Sequence, residues 1–360
     1  MDQPMKVSAM TARPETPIRV ERLQGGKPIL ERVPSHPWES KVTFNPACAL
    51  ISGHETIASI IEKSPFDRRT REILTNRDAL CFLLYRAQGT TSAGIARSSL
   101  GLAVLSPGLE LLARHSEPVV LPDQPYDDLG VEDARITKVG DRYVLFYTAY
   151  GSGTPRNRIR IATASTRDFV HWEKHGLLRG PFNTIDNKNA MLFERPVGGK
   201  YVMLHRPMEG ENAMSIHWAE SDDVFGEWKT GGVLLKPKRS PEFADTWIGG
   251  GAPPLRISDD RYLMLYHIGN RRADGVKEYD LGIAEAEWKT GSLTVGRNAL
   301  LMRPETPAET RGDAEPGVNN VLFVCGAYFH ARDLYFPYAG ADSVILGGRI
   351  PRAELDRFLA

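Results

Sequence analysis

The chain has 360 residues, and its 45 Lys plus Arg residues balance 45 Asp plus Glu residues, so the formal net charge is zero. Surfaces that bind nucleic acids or anionic membranes carry a basic excess, and this composition therefore disfavours both kinds of partner. No stretch approaches 18 apolar residues, and residues 1–10 lack the apolar segment of a signal peptide. We therefore expect a cytoplasmic protein; the sequence leaves open whether it forms a homo-oligomer.

The three cysteines do not form a recognisable metal or disulfide pattern. Cys48, Cys81 and Cys325 include no Cys-x-x-Cys pair, and two of them lie in apolar, strand-like runs. We expect buried free thiols rather than a disulfide, and no thiolate metal site.

In chain order, the main feature is a run of aromatic and aliphatic residues that occurs five times at intervals of about 60 residues. The runs cover residues 80–86, 143–148, 201–206, 262–267 and 334–338, in which Tyr85, Tyr147, His205, His267 and Tyr338 are taken as equivalent. Strand-like segments follow several of them, at residues 159–164, 215–219, 280–284 and 343–346. Short apolar segments at residues 177–178, 233–235 and 299–301 come next, and residues 119–121 and 318–323 fit the same pattern. Their alternation has the period of strands rather than helices.

A repeat of this length with about four strands is typical of a propeller blade. We predict an all-β fold, a five-bladed β-propeller, with an ordinary β-sandwich as the alternative. The predicted organisation is an irregular N-terminal extension at residues 1–39, one catalytic propeller domain at residues 40–350, and a short C-terminal segment at residues 351–360. That last segment is either a helix begun at Pro351 or a strand that closes the ring.

One segment before the second repeat places charge where a strand begins. Residues 130–136 contain Glu132, Asp133 and Arg135. In regular strand geometry Glu132 points to one face, and Asp133 and Arg135 point to the other. The segment is either a structural Glu–Arg pair between blades or a carboxylic acid whose partner tunes its protonation for acid catalysis.

Three further segments depart from the scaffold pattern. Lys188, in residues 185–192, precedes the third repeat much as Asp133 precedes the second. His205 and Arg206 end the third run and suit an anion site, with solvated side chains as the alternative. Residues 247–254 hold three glycines but no helix or Gly-Lys-Ser/Thr sequence, which excludes a phosphate loop. Trp247 in this segment either stacks on a sugar or fills the channel wall.

Together these segments resemble glycoside hydrolase family 130, the β-mannoside phosphorylases and β-mannosidases. The resemblance covers roughly residues 40–350, and the family is a five-bladed propeller, which agrees with the repeat count. The matching motifs lie at residues 44–46, 130–135, 187–193, 204–207, 247–254, 266–267, 279–282 and 338–342.

The resemblance implies inverting phosphorolysis of β-1,4- or β-1,2-linked manno-oligosaccharides to α-mannose 1-phosphate. Asp133 would be the proton donor, acting through a mannosyl hydroxyl while inorganic phosphate attacks from the opposite face. Phosphate is the expected co-substrate, the sugar is the other partner, and no cofactor is expected. The implied phosphate-binding residues are Lys188, Arg206, His267, Tyr279 and Asn187. The implied substrate-binding residues are Asn45, Arg86 and Asp342, and we assign Glu132, Arg135, His205 and Trp247 to the same group.

Two departures from the family pattern leave an inverting β-mannosidase open. Ala134 stands where proline usually follows the acid, and Trp247 and its neighbours stand where many phosphorylases have a further basic residue. A hydrolase would need a second carboxylate, about 6.5–9.5 Å from the acid, to activate water. Asp245, Glu194 and Glu242 are available for that role.

Three alternatives from other classes are less favoured. A non-catalytic sugar-binding propeller would not need Asp133 in its motif. A glycosidase of the arabinanase or invertase type would have an acid near the first strand, where residues 44–46 contain none. A metal site could be assembled from His205, His217 and His267, although histidines at strand ends are more often hydrogen-bonded core or sugar-binding residues.

Overall fold

The computed structural model describes residues 18–90, 97–153, 158–289, 291–312 and 318–360. Antiparallel strands dominate these ranges, which confirms the all-β class. Four short α-helices accompany the strands in the described residues, and no helix there is long and apolar enough to cross a membrane. The helices are α1 (His54–Glu62), α2 (Arg68–Thr75), α3 (Pro307–Thr310) and α4 (Arg352–Leu359).

The strands form successive antiparallel meanders, each of which begins with a buried strand. A two-residue strand, β1 (Glu21–Arg22), precedes them. The first meander is β2 (Val42–Ser52), β3 (Ala79–Gln88), β4 (Ser98–Leu105) and β5 (Leu111–Arg114), and the second is β6 (Gly130–Val139), β7 (Arg142–Gly151), β8 (Arg158–Thr166) and β9 (Glu173–Leu177). A single parallel bridge between Ser98 and Gly130 joins these two meanders into one sheet.

The remaining meanders repeat this order with small additions. The third is β10 (Asn187–Leu192), β11 (Tyr201–Pro207), β12 (Ile216–Ser221) and β13 (Lys229–Leu235). The fourth is β14 (Asp245–Gly250), β15 (Leu255–Arg256), β16 (Arg261–Arg271), β17 (Lys277–Lys289) and β18 (Ser292–Met302). The fifth is β19 (Leu322–Val324), β20 (Tyr328–His330), β21 (Asp333–Gly340) and β22 (Val344–Ile350), and β1 completes it by pairing with β22.

Neighbouring meanders pack through separate apolar clusters, and the fifth also packs on the first. The first strands of the meanders also contact one another, with β2 against β6, β6 against β10, β10 against β14, and β19 against β2. This cyclic packing differs from the two facing sheets of a sandwich. Representative members of the clusters are Leu84 and Leu145 for the first and second meanders, Phe146 and Met203 for the second and third, Leu204 and Met264 for the third and fourth, Leu265 and Phe336 for the fourth and fifth, and Leu83 and Ile345 for the fifth and first.

Each repeated run of the sequence forms the second principal strand of its meander. In the fourth run, however, the residue equivalent to Tyr85 is one position earlier than the sequence alignment predicts. Tyr85 lies over Gly101, and Tyr266, not His267, lies over the corresponding Gly282. His267 therefore corresponds to Arg86 and Arg206, one residue further along. The mistake arose because two aromatic rings stand side by side at the end of the run.

Other predicted segments differ from the structure in detail. Residues 119–121 form no strand and contribute only an isolated bridge from Val120 to Leu100. Pro351 begins helix α4, as in the first of the two alternatives for the C-terminus. The domain boundaries stay predictions, although the extension before residue 39 contributes β1 to the last meander. The three cysteines are free and buried.

The same buried polar arrangement anchors three of the meanders. A tyrosine on the second principal strand donates its hydroxyl proton to a buried carboxylate, which also binds a cation from the meander's outer strand. The members are Tyr85, Glu39 and Arg114 in the first meander, Tyr147, Asp127 and Lys174 in the second, and Tyr338, Glu309 and Arg22 in the fifth.

This arrangement predicts that Tyr338→Phe lowers the free energy of unfolding by about 1–2 kcal/mol, because Glu309 then loses one buried hydrogen bond. Urea denaturation of the variant measures the loss. Tyr335→Phe, in the same strand, is the matched control, since its hydroxyl has no hydrogen-bond partner among the described residues. Equal stability of the two variants would contradict a stabilising role for this bond.

Candidate active site

The first strands of three successive meanders contain a β-bulge at the same position. The pairing shifts between Phe44 and Ala47 in β2, between Glu132 and Arg135 in β6, and between Lys188 and Met191 in β10. The first extra residue of each bulge adopts a left-handed backbone conformation. These residues are Asn45, Asp133 and Asn189, with φ angles of 47°, 47° and 59°. Asn and Asp tolerate this conformation better than other non-glycine residues, and bulges re-aim side chains beside active sites.

Asp133 is buried and held by two neighbouring side chains. The Asn45 amide donates to Asp133 Oδ1 over 2.6 Å, and the Arg86 guanidinium donates to the same oxygen over 3.0 Å. Arg86 also binds Glu132 Oε1 at 2.7 Å. The expectation that Glu132 and Asp133 point to opposite faces is therefore wrong, because the bulge breaks the strand alternation and both carboxylates reach one guanidinium.

The two adjacent carboxyl groups have opposite pKa shifts. Burial would raise the pKa of Asp133, but the charges of Arg86, Arg135 and Lys188 outweigh it and hold that pKa well below its usual range. Burial raises the pKa of Glu132, the Arg86 charge opposes that rise, and the Asp133 charge adds to it. The pair thus favours one ionised carboxylate at position 133 and a weaker acid beside it.

Asp342 contributes a third carboxyl group from the turn between β21 and β22. Its φ of 48° is again left-handed. Burial raises its pKa to about 7, the Arg86 charge opposes that rise, and the Asp133 charge adds to it. Asn45, Arg86 and Asp342, which were assigned to mannosyl hydroxyls, therefore surround Asp133 or interact with it electrostatically.

Lys188 and Arg206 lie opposite each other on β10 and β11. Burial and the nearby Arg206 charge lower the pKa of Lys188 to about 8, against the opposing charges of Asp133 and Glu132. Burial lowers the pKa of Arg206 to about 10. Neither cation forms a hydrogen bond or ion pair with any described residue, and Arg206 Nε is buried without a partner.

Asn189 is a site residue that the sequence did not single out. It is 1 % exposed, and neither its amide nitrogen nor its amide oxygen has a hydrogen-bond partner in the described structure. A methyl group added to Gly249 would lie 2.9 Å from an Arg206 nitrogen and 3.0 Å from Asn189 Oδ1, so only glycine allows this close approach. The signal was present in the Asn-Pro, Asp-Ala and Asn-Ala pairs at the three bulges, which align once the pairing is known.

His267 and Tyr279 extend the cluster into the fourth meander. His267 stacks on Phe323 with ring centroids 3.7 Å apart, and its Nε2 lies 2.8 Å from the carbonyl oxygen of Val324 and 3.0 Å from its nitrogen. Burial and the charges of Arg135 and Arg206 lower the pKa of His267 well below its usual value, so the ring is neutral. Its Nδ1 has no hydrogen-bond partner among the described residues. Burial raises the pKa of Tyr279, and the Arg206 charge opposes that rise.

Four assigned residues support the site from behind rather than lining it. Arg135 is fully engaged with backbone carbonyl oxygens, those of Asp133, Gly250 and Gly251. The Asn187 amide binds the Phe182 carbonyl and the His205 ring, so His205 is enclosed as well. Trp247 is 4 % exposed, and its indole donates to the Tyr279 hydroxyl over 3.1 Å. Direct substrate contacts by these residues stay predictions that their burial does not favour.

No described contact joins Asp133 to the carboxylates that were considered for hydrolysis. Asp245, Glu194 and Glu242 are all exposed. Glu194 lines a cavity of about 720 Å³ together with Thr137 and Pro254. Thr137 follows the bulge of β6, and Pro254 follows the glycines of β14. This cavity therefore lies toward the ends of these strands that are away from Asp133. The carboxyl groups that interact electrostatically with Asp133 are Glu132 and Asp342.

The three histidines considered for a metal site have separate partners. His205 binds Asn187, His217 binds the carbonyl oxygen of Asn212, and His267 binds Val324. In the ranges that the structure describes, no group of three or more His, Cys, Asp or Glu residues is arranged to hold a metal ion.

Comparison with known proteins identifies the family. The model of glycoside hydrolase family 130, described as beta-1,4-mannooligosaccharide phosphorylase, matches residues 74–359. The chain belongs to glycoside hydrolase family 130. It is therefore a glycoside phosphorylase or a closely related glycoside hydrolase.

Relatives and solved structures agree with this family. A beta-1,2-mannobiose phosphorylase of Thermoanaerobacter sp. (strain X514) is 30 % identical over 95 % of this chain and 100 % of its own length. A 1,2-beta-oligomannan phosphorylase of the same organism is 29 % identical over 91 % of this chain and 96 % of its own. The structure of a beta-1,2-mannobiose phosphorylase from Listeria innocua, in complex with beta-1,2-mannobiose, has the same fold, with a TM-score of 0.70, 20 % identity and coverage of 95 % and 99 % of the two chains.

The raised pKa of Asp342 predicts a pH-dependent stability. An acid with a pKa of about 7 in the folded state and about 3.9 when unfolded binds more protons in the folded state between those values. The contribution of Asp342 to the free energy of unfolding therefore falls as the pH rises from about 4 to 7. Asp342→Asn should remove this fall, and at pH 8 the free energy of unfolding of the variant should exceed that of the wild type by about 1–3 kcal/mol.

Denaturant unfolding at pH 5 and pH 8 measures this difference. Asp259→Asn, in an exposed turn, is the control and should keep the pH dependence of the wild type. If Asp342→Asn also keeps it, Asp342 titrates normally in the folded protein.

Proposed function

We propose that this protein catalyses the inverting phosphorolysis of β-mannosides to α-mannose 1-phosphate. The observation that carries the proposal is a pair of cations, the half-buried Lys188 and the buried Arg206, which form no ion pair with a carboxylate in the described structure and whose charges act on Asp133. Asn189 adds an amide with two unpartnered atoms to the same place. This arrangement suits a small, highly charged anion.

The electrostatics favour an anion over water at this position. Burying a charged group without a partner is costly, and the lowered pKa values of Lys188 and Arg206 express that cost. An inorganic phosphate dianion between them would supply the missing counter-charge and accept charge-assisted hydrogen bonds. A water molecule used by a hydrolase would leave both cations uncompensated.

Phosphate binding would also prepare Asp133 to act as an acid. The carboxyl group is ionised in the free protein because nearby cations, Lys188 among them, lower its pKa. A dianion beside Lys188 offsets that influence and raises the pKa of Asp133, which can then take up the proton that it must donate. In this order of events, binding of the phosphate nucleophile itself promotes protonation of Asp133, and no further residue is needed to couple the two.

The reaction then needs one bond to form and one to break. A phosphate oxygen attacks the anomeric carbon from the face opposite the glycosidic oxygen, and the carbon–oxygen bond to the leaving sugar breaks. Asp133 supplies the proton for the leaving oxygen by way of a mannosyl hydroxyl. Lys188 and Arg206 hold the nucleophile close to the sugar, which accounts for a large share of such rate enhancements.

The substrate linkage is proposed from the relatives. Two relatives that align over more than nine-tenths of this chain act on β-1,2-linked substrates by name, whereas the family description names β-1,4-mannooligosaccharides. We propose β-1,2-linked manno-oligosaccharides first and β-1,4-linked ones second. We also propose that the five meanders are the blades of a five-bladed β-propeller, which their cyclic packing and the shared fold support.

The deciding experiment incubates the purified protein with β-1,2- and β-1,4-mannobiose, with and without inorganic phosphate, and identifies the products by NMR. We expect α-mannose 1-phosphate only when phosphate is present. Arg206→Gln should raise the KM for phosphate by at least about tenfold, since one charge-assisted contact is lost. Arg167→Gln, an exposed arginine, is the control.

Two other outcomes would refute the proposal in different ways. Free mannose at equal rates with and without phosphate would identify an inverting β-mannosidase, with Glu132 or Asp342 as candidates for the base. Binding without cleavage of either disaccharide would instead support a sugar-binding propeller.

The role of Asp133 gives a separate prediction. Asp133→Asn should lower kcat on mannobiose by about 10²–10⁴-fold, the usual contribution of a general acid. The loss should be much smaller on an aryl mannoside with a nitrophenol leaving group, which departs without protonation. Asp141→Asn, exposed at the other end of the same hairpin, should behave as the wild type. Equal losses on both substrates would mean that Asp133 does not protonate the leaving group.

A further inference from the structure

The indole of Trp247 is enclosed, and this limits what it can do. Its ring covers Gly269, where an added methyl group would lie 2.2 Å from indole atoms. The guanidinium carbon of Arg271 lies 5.8 Å from the ring centroid. The Trp247 ring thus packs on the sheet at Gly269 and lies close to Arg271. Because Trp247 is only 4 % exposed, its ring offers little surface for stacking on a sugar.

The one polar atom of this indole has a specific partner. Trp247 Nε1 lies 3.1 Å from the Tyr279 hydroxyl oxygen, and the two rings meet edge to face with centroids 5.5 Å apart. An indole nitrogen can only donate. The Tyr279 oxygen is therefore the acceptor, and the hydroxyl proton of Tyr279 cannot point back toward Trp247.

The remaining surroundings direct that proton toward the site. Arg206 is the cation whose charge acts on the Tyr279 hydroxyl, and a guanidinium also only donates. No described residue accepts a hydrogen bond from this hydroxyl. An acceptor that lies between Tyr279 and Arg206 would receive a neutral O–H donor from one side and a charged donor from the other.

We propose that Trp247 is a positioning residue, which fixes the Tyr279 hydroxyl as a hydrogen-bond donor to the phosphate held by Arg206. The inference rests on the proposed function and assigns Trp247 a role other than stacking on sugar. Strand β14, to which Trp247 belongs, contributes no basic side chain. The Tyr279 hydroxyl, oriented by Trp247, thus provides from the fourth meander part of the phosphate binding that a basic side chain would otherwise provide.

Arg271 strengthens this arrangement through the ring. A cation over an indole face is attracted to the ring. Arg271 therefore helps to hold Trp247 in the orientation in which its N–H donates to Tyr279.

The test is a double-mutant cycle on phosphate binding, with Trp247→Phe, Tyr279→Phe and the double variant, each titrated with inorganic phosphate by calorimetry. Trp247→Phe keeps an aromatic ring but removes the N–H. We expect about 3–10-fold weaker binding for Trp247→Phe and about 10–100-fold for Tyr279→Phe. The double variant should match Tyr279→Phe alone, because the indole acts only through the phenol. The KM for mannobiose should stay within about twofold in Trp247→Phe.

Trp218→Phe is the matched control for the loss of indole volume. Trp218, in the third meander, also packs over a glycine, Gly231, and its ring meets that of Trp288 edge to face. Two results would overturn this inference but not the proposed function. In one, Trp247→Phe binds phosphate as tightly as the wild type. In the other, the loss of affinity in the double variant equals the product of the two single losses. A wild-type protein that binds no phosphate would overturn the proposed function, and this inference with it.

Discussion

The β-bulge that recurs in β2, β6 and β10 is the constraint on which the candidate site depends. In a regular strand the side chains of Glu132 and Asp133 would point to opposite faces, and one guanidinium could not bind both. The bulge holds Asp133 in a left-handed conformation, which costs on the order of 1 kcal/mol or more for a residue other than glycine. Pairing on both sides of each bulge, and packing between the meanders, provide the surrounding order that maintains it.

The charges around these bulges are distributed unequally, and this distribution determines the chemistry. Arg86 forms ion pairs with both Glu132 and Asp133. Lys188 and Arg206 form no such ion pair in the described ranges. This difference between the carboxylates and the cations is what supports the proposal that an anion binds beside Lys188 and Arg206.

The sequence predicted much of the scaffold and part of the site, for reasons that particular residues make clear. The repeated runs were visible because buried strands keep a steady alternation. The bulges were not, because one inserted residue changes the direction of Asp133 without changing composition. For the same reason the sequence did not indicate Asn189, two positions after Asn187 in the same strand. The one-residue error at His267 arose where Tyr266 and His267 are equally plausible ends of the run.

The positions of the buried scaffold carboxylates agree with the proposed position of the anion. Glu39 and Asp127 each stand six residues before the bulge residue of their strand, Asn45 and Asp133. At the same distance before Asn189 stands Asn183, a neutral amide that binds backbone groups of Ile161 and Leu178. A carboxylate at that position would place a negative charge in the meander that supplies Lys188 and Arg206, and it would weaken their attraction for phosphate. The third meander thus departs from the tyrosine–carboxylate pattern where a positive potential is needed.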